Sequence, residues 1–308
     1  MSQLASSILM VRPASFGFNA ETAANNAFQQ KQSESTSINI AEKAIEEFDA
    51  MVKLLCEKDI DITVIQDTQK PEKPDAVFPN NWFCTLPGGK LIVFPMFAEN
   101  RRIEKQNPVL QSIRNEFIIV EERDWSEYEK ENIFLEGTGS MIFDHENKIV
   151  YACISERTDK KIFEKFADTY GYKPISFLSV DENGTPIYHT NVMMHMGENY
   201  VVICLDSIPY EAEQKEIISC LQNTHHELID ISQEQVKKFA GNMIQVKNKS
   251  DEKFTVLSRT AFDALTEKQK SILSLHTQLL PVNIPTIESI GGGSARCMIA
   301  ELFLERKI

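Results

Sequence analysis

The chain has 308 residues, 42% hydrophobic and 25% charged, a composition that supports a sizeable core and excludes wholesale disorder. Its 32 basic and 45 acidic residues leave a net charge of −13. That balance argues against phosphate backbones and anionic membranes as partners, and no local basic stripe offsets it.

In chain order, the first apolar stretch is ILMVR, a strand stopped at Arg12. It is too short for a signal peptide, and no later run reaches the roughly 20 apolar residues that cross a bilayer. A polar segment, 18–40, follows and reads equally as a lid or a connection. AEKAIEEFDAMVKLLC (41–56) predicts a helix and DITVI a strand. WFCTL, the turn PGG and KLIVFPM predict a hairpin, followed by a helix around 103–116 and the strand FIIVEE.

The next unit starts at Glu136: GSMIFD, turn HENK, IVYACIS, a helix opening at Thr158 with Ile162, Phe163 and Phe166 on one face, then ISFLSV. Another starts at His189, with NVMMHM, turn GEN, YVVICL, a helix after Pro209, and ELIDI. A third starts near Asn242, with MIQVKN, KSDE, KFTVLS, the helix TEKQKSILSLHTQL and the strand TIESI. CMIAELFL near the C-terminus supplies the strand that ILMVR lacks, closing a ring.

Asn81, Glu136, His189, Asn242 and Cys297 each stand at the start of a unit, separated by 55, 53, 53 and 55 residues. A fixed period near 50 points to a radial repeat. The expected fold is α/β, a five-bladed ββαβ propeller forming one domain over 1–308, with helices outside and the leading side chains facing the axis.

Cys297 follows three consecutive glycines in IGGGSARCMIAELF, which let the backbone approach a ligand closely. A thiol does covalent work as thiolate beside a base. His189 suits proton transfer near neutral pH, and Glu136 suits orienting an imidazole. His189, Asn191, Met193 and His195 are expected on one strand face, without the third ligand that a metal site needs. His145, His195, His225, His226 and His276 read as surface or turn residues. The six cysteines (Cys56, Cys84, Cys153, Cys204, Cys220, Cys297) hold no CxxC pair and read as reduced thiols of a cytoplasmic protein. Arg12, Arg101, Arg102 and Arg157 stand near strand ends, where guanidinium forks would bind a carboxylate or pair with neighbouring acids.

FLEGTG, then HTN some fifty residues on, then the glycine-rich loop with its cysteine, resemble the guanidine-modifying (amidinotransferase) superfamily. VRPASFGFN, PDAVFPNNW, NRRIE, SERTD and GGGSARCMIAE are most similar to its bacterial citrulline-utilisation hydrolase branch. The resemblance implies a five-bladed propeller, Cys297 as nucleophile, His189 as proton shuttle and Glu136 as its acid. It also implies Arg101 or Arg102, with Arg157, on the substrate α-carboxylate, and Asp75 near the substrate's amino-acid end. It implies a small amino-acid substrate and no metal or organic cofactor, and leaves the oligomeric state, a homo-oligomer included, open.

Relatives that act on guanidino groups grip that charge with carboxylates, one of them after the PDxVF element. This chain carries Asn80 and Asn81 there, and Asn191 two residues after His189. A guanidinium against neutral amides forfeits charge pairing, whereas a neutral ureido group offers a C=O and N–H donors that amides complement. The expected reaction is therefore citrulline to ornithine, carbon dioxide and ammonia. Asn81, Asn191 or the N–H groups of Gly291–Gly293 would hold the oxyanion. The alternatives are deiminase, dimethylaminohydrolase or amidinotransferase chemistry on a guanidino compound, a non-catalytic ligand-binding propeller, or a cysteine peptidase, for which a closed ring leaves little room.

Overall fold

The computed structural model describes residues 2–23, 26, 28–29, 37–105 and 108–307. Most of 24–36, within the segment read as lid or connection, lies outside them. Among the described residues are five three-stranded sheets of one pattern and a two-stranded pairing of Phe117–Ile118 with Glu305–Arg306.

Each three-stranded sheet has an antiparallel hairpin whose second strand, in the middle, pairs in parallel with a third strand reached through a helix. In the clearest, Ile142–Asp144 pairs antiparallel with Ile149–Cys153, which lies parallel to Lys173–Phe177. The helix Lys160–Tyr170 makes the crossover. Its cap is Asp159, one residue past the expected Thr158, and its carboxylate accepts from both Lys161 and Ile162 N–H. Gly171 closes it in the left-handed conformation. Ile162, Phe163 and Phe166 are buried, as the one-face spacing requires.

The same order recurs in three further units. Phe83–Leu86, Lys90–Val93 and Glu121–Asp124 form one. Met194–Met196, Tyr200–Ile203 and Glu227–Asp230 form the next. Ile244–Lys247, Lys253–Ser258 and Gln278–Val282 form another. The remaining sheet joins the two ends of the chain: Ala300–Leu302 runs antiparallel to Ser7–Arg12, which lies parallel to Ile62–Gln66 beyond the helix Ser37–Cys56.

Neighbouring sheets share core side chains. Leu9 and Leu302 pack with Phe83 and Leu91, and Cys84 and Ile92 with Phe143 and Val150. Tyr151 and Ile175 pack with Val201 and Val202, and Ile8 and Met10 with Ile244 and Val256. First strands also lean on one another: Thr85 Oγ1 donates to Glu301 O at 2.9 Å and accepts from Phe303 N at 2.7 Å. No helix among the described residues is long and apolar enough to cross a membrane.

Three expectations fail. TIESI forms no strand; the parallel partner is Gln278–Val282, and Ile287–Gly291 is a wide helical turn. Glu47, from the outer helix, accepts from Thr286 and Ile287 N–H, so a distant carboxylate overrides local β-propensity. HTNVMM also begins as a helical turn, Thr190–Met193, with Met194–Met196 alone extended. Thr190 Oγ1 donates to Ser140 O and accepts from Cys153 N, which anchors that turn and breaks the expected strand face. Finally, His195 and His226 are buried rather than at the surface; His145 stands in its expected turn but is buried too, and of the five only His225 is exposed. The His145 ring stacks on Phe143 and meets the Tyr172 hydroxyl at 2.7 Å, and His195 meets the Tyr200 hydroxyl at 3.1 Å.

Candidate active site

The five repeat-phase residues do not stand on strands but in the turns just before them. Asn81 ends a helical turn two residues before Phe83, Glu136 caps Gly137–Ser140, and His189 caps Thr190–Met193. Turns at strand starts leave side chains unpaired by the ladder and free to converge. Cys297, His189, Asn81, Asp75, Arg101 and Arg157 line one cavity of about 280 Å³ to its mouth, with Thr22, Asn26, Phe78, Tyr188 and Gly291–Gly293.

His189 Nε2 lies 2.8 Å from Glu136 Oε2, and Glu136 Oε1 accepts from Phe97 N–H at 2.9 Å. Burial alone would raise the Glu136 pKa; Arg157, 3.7 Å away, with His189 and Arg101, overrides it and holds the carboxyl at about 2. Burial lowers the His189 pKa against the pull of Glu136. The pair is thus a carboxylate accepting from a neutral imidazole, with Nδ1 left as the basic nitrogen. Gly139 shows where Nδ1 faces: a Cβ there would lie 2.8 Å from His189 Nδ1 and 2.6 Å from Asn81 Nδ2. Only glycine admits both atoms to that space.

Cys297 Sγ is met by Asn242 Nδ2 at 3.2 Å and Asn191 Nδ2 at 3.5 Å. Several buried polar atoms here lack a partner among the described residues: Asp75 Oδ1, Asn80 Oδ1, Asn81 Nδ2 and Asn191 Oδ1. Such atoms cost about 1–3 kcal/mol each when left unmade. Asp75 and Asn81 line the cavity, so Asp75 Oδ1 and Asn81 Nδ2 mark a ligand position there, whereas Asn80 and Asn191 are not among the lining residues.

The arginines divide. Arg101 Nε and Nη2 grip Glu104, Nη1 donates to Asn81 Oδ1 at 2.7 Å, and Nη2 also reaches Phe78 O. Burial works against that charge, but Glu104 keeps the guanidinium protonated. Arg101 is therefore committed to holding Asn81 and offers no fork for a carboxylate. Arg102 departs from expectation further: it turns away, donating to Met96 O and Phe97 O and pairing with Glu129. Arg12 pairs with Asp49 at the surface. Arg157 lies over the Tyr188 ring, 4.9 Å from its centroid, and donates to Thr22 O.

Asp75 Oδ2 accepts from Asn19 at 2.7 Å and Thr22 at 3.2 Å; burial raises its pKa, opposed by Arg101. Asn80 is buried beside the cavity residues and bonded to Thr138, outside the lining. The glycine loop supplies less than expected. Gly292, at φ 64°, spends its N–H on Glu288 O, while its carbonyl accepts from Tyr188 and Asn26. Gln29 donates to Gly291 O at 3.0 Å. Among the described residues no group of three or more His, Cys, Asp or Glu is gathered to hold a metal ion.

Sequence reasoning missed Tyr188, Asn19, Thr22, Asn26 and Gln29, whose roles depend on contacts across the chain. Asn242 carried a usable signal, since it stands in the fifty-residue spacing.

A model of the family described as "N,N dimethylarginine dimethylhydrolase, eukaryotic" matches residues 12–304. No curated protein sequence matches the chain. Among solved structures, the N-terminal domain of a variant of ArgZ, an arginine dihydrolase of Cyanobacteria, bound covalently to a reaction intermediate, is 16% identical, with 96% of each chain covered and a TM-score of 0.75. AgrE, in a complex with ornithine and NAD+, is 17% identical at a TM-score of 0.74; 96% of this chain covers 39% of that longer one. A dimethylarginine dimethylaminohydrolase variant carrying an S-methyl-L-thiocitrulline adduct is 15% identical at a TM-score of 0.65, covering 97% of this chain and all of that one. These likenesses are likenesses of α/β fold. The family match carries more: the chain belongs to the N,N dimethylarginine dimethylhydrolase family, C–N hydrolases of the amidinotransferase superfamily.

Proposed function

We propose that the chain is a cysteine-dependent hydrolase of a ureido amino acid, converting citrulline to ornithine, carbon dioxide and ammonia. The orientation of Asn81 carries this reading. Arg101 can only donate, so the Asn81 oxygen must face it and Nδ2 must point away. Nδ2 is then an orphaned buried donor beside His189 Nδ1. A guanidinium, all donors, leaves it orphaned; a ureido oxygen satisfies it. Asn191, with Nδ2 toward sulfur, offers its unpartnered Oδ1 to the ureido NH2. Asp75 Oδ1 suits the α-ammonium, and Arg157 suits the α-carboxylate.

Cys297 Sγ gives its proton to His189 Nδ1 and attacks the ureido carbon, with Asn81 Nδ2 donating to the new oxyanion. Collapse returns that proton to the departing ornithine amine and leaves an S-carbamoyl cysteine. Water then loses a proton to His189, attacks the carbonyl and expels the thiolate; the carbamate formed decomposes to carbon dioxide and ammonia. Glu136 keeps the imidazole oriented throughout. No step needs a metal or organic cofactor. The five repeated sheets are read as the blades of one ββαβ propeller over 1–308, with the cavity on its axis; the core shared between successive sheets supports this.

A guanidino substrate is the second reading, favoured by the family's own description and by ArgZ's action on arginine. Citrulline, arginine, dimethylarginine and agmatine assayed side by side for ornithine and ammonia decide between them. Citrulline is expected to lead in kcat/KM by at least about 100-fold, the discrimination expected where a buried donor goes unpaired. A preference for arginine overturns the amide argument, and no turnover of any of the four supports a non-catalytic propeller.

A further inference from the structure

We propose that Asn242 is a positioning residue for the nucleophile, an amide locked so that its N–H favours the Cys297 thiolate over the thiol. The inference rests on Cys297 being the attacking group. Asn242 sits fully buried in the turn before Ile244–Lys247, at the repeat position that in earlier units holds Asn81, Glu136 and His189. Its orientation follows from its neighbours. The Arg296 backbone N–H donates to Oδ1 at 3.1 Å. A backbone N–H has no acceptor to offer, so Oδ1 is committed and Nδ2 faces the other way.

There Nδ2 finds two acceptors, Asn191 O at 2.9 Å and Cys297 Sγ at 3.2 Å, one for each of its hydrogens. The contact in the opposite sense, a thiol hydrogen reaching Oδ1, spans 3.7 Å. The shorter approach is the one in which sulfur accepts, the role of the anion, and donors aimed at the charged form stabilise it. Asn191 Nδ2, at 3.5 Å, adds a second donor whose own backbone carbonyl Asn242 holds. One side chain thereby ties the nucleophile's turn to the turn that follows His189, and polarises the sulfur between them.

The test compares wild type with Asn242→Ala and with the isosteric Asn242→Asp. Asp keeps an oxygen for Arg296 N–H but presents an acceptor to sulfur. Iodoacetamide labelling of Cys297, followed by peptide mass spectrometry across pH, reports the thiolate directly. The acid limb is expected to move up by about one pH unit in Asn242→Ala, a tenfold slower labelling below it, and further in Asn242→Asp, with the acid limb of kcat/KM moving in step. A purely structural role would lower the melting temperature or kcat and leave both limbs in place; that result overturns the inference and leaves the hydrolase standing. Should Asn242→Ala not fold, Asn242→Asp carries the same comparison. A wild-type Cys297 that labels no faster than the other cysteines overturns both the inference and the hydrolase.

Discussion

Cys297→Ser is expected to abolish turnover, lowering kcat by about 10⁴-fold or more, with the melting temperature nearly unchanged. Serine fits the space, since it is smaller than cysteine and its hydroxyl can accept from the same Asn242 and Asn191 amides that meet the sulfur. What it loses is nucleophilicity. A hydroxyl is a far weaker acid than a thiol and a poorer nucleophile when neutral, so serine offers almost no anion for the first attack. The surrounding donors are spaced for a large polarisable anion and do little for an alcohol. Ornithine and ammonia release, read beside a melting curve, checks this; activity within tenfold of wild type removes Cys297 from the chemistry.

The second large effect is on stability and arises at two histidines that do not line the cavity. His145 and His195 are buried with pKa values lowered to about 3, by desolvation first, with Arg296 adding to both and Lys148 to His145. A group whose folded pKa lies below its unfolded value stabilises the fold above the unfolded value. It loses that contribution as pH falls below 6.5 toward about 3, because the unfolded chain takes up the proton first. The loss grows by about 1.4 kcal/mol per pH unit per histidine, or roughly 2–3 kcal/mol two units below the usual imidazole value.

Buried acids with raised pKa values, Asp75, Glu288 and Glu301, act in the opposite direction over the acid range, so the informative quantity is a difference. His195→Gln is expected to be less stable than wild type at neutral pH and to lose less stability on acidification. The two curves should therefore converge as pH falls. Urea unfolding across pH measures this, and parallel curves would mean that His195 does not titrate as a buried neutral group.

The fifty-residue period was legible because hairpin turns, helix caps and apolar faces are local. HENK, GEN and KSDE each announce a reversal, and Thr266 with Gln269 closes a capping box within four residues. That Glu136 would meet His189, and that His189 would share a cavity with Cys297, was legible through their spacing and motifs. What was hidden depended on remote partners. Glu47 bends 287–291 into a helical turn, Ser140 and Cys153 anchor Thr190, and Tyr200 draws His195 inward. NRRIE could not say which arginine turns inward; Glu104 holds Arg101, while the Met96 carbonyl takes Arg102. The asparagines were legible as residue types, but the direction of each amide emerged only from the donors fixed around it.

The most direct test is to quench a single turnover of wild-type enzyme with citrulline in acid and weigh the peptide that carries Cys297. A carbamoyl group on that cysteine, formed and lost at rates that match ornithine release, is the expected result. An amidino adduct formed from arginine alone, or a cysteine peptide that never gains mass while product accumulates, would contradict ureido chemistry at this sulfur.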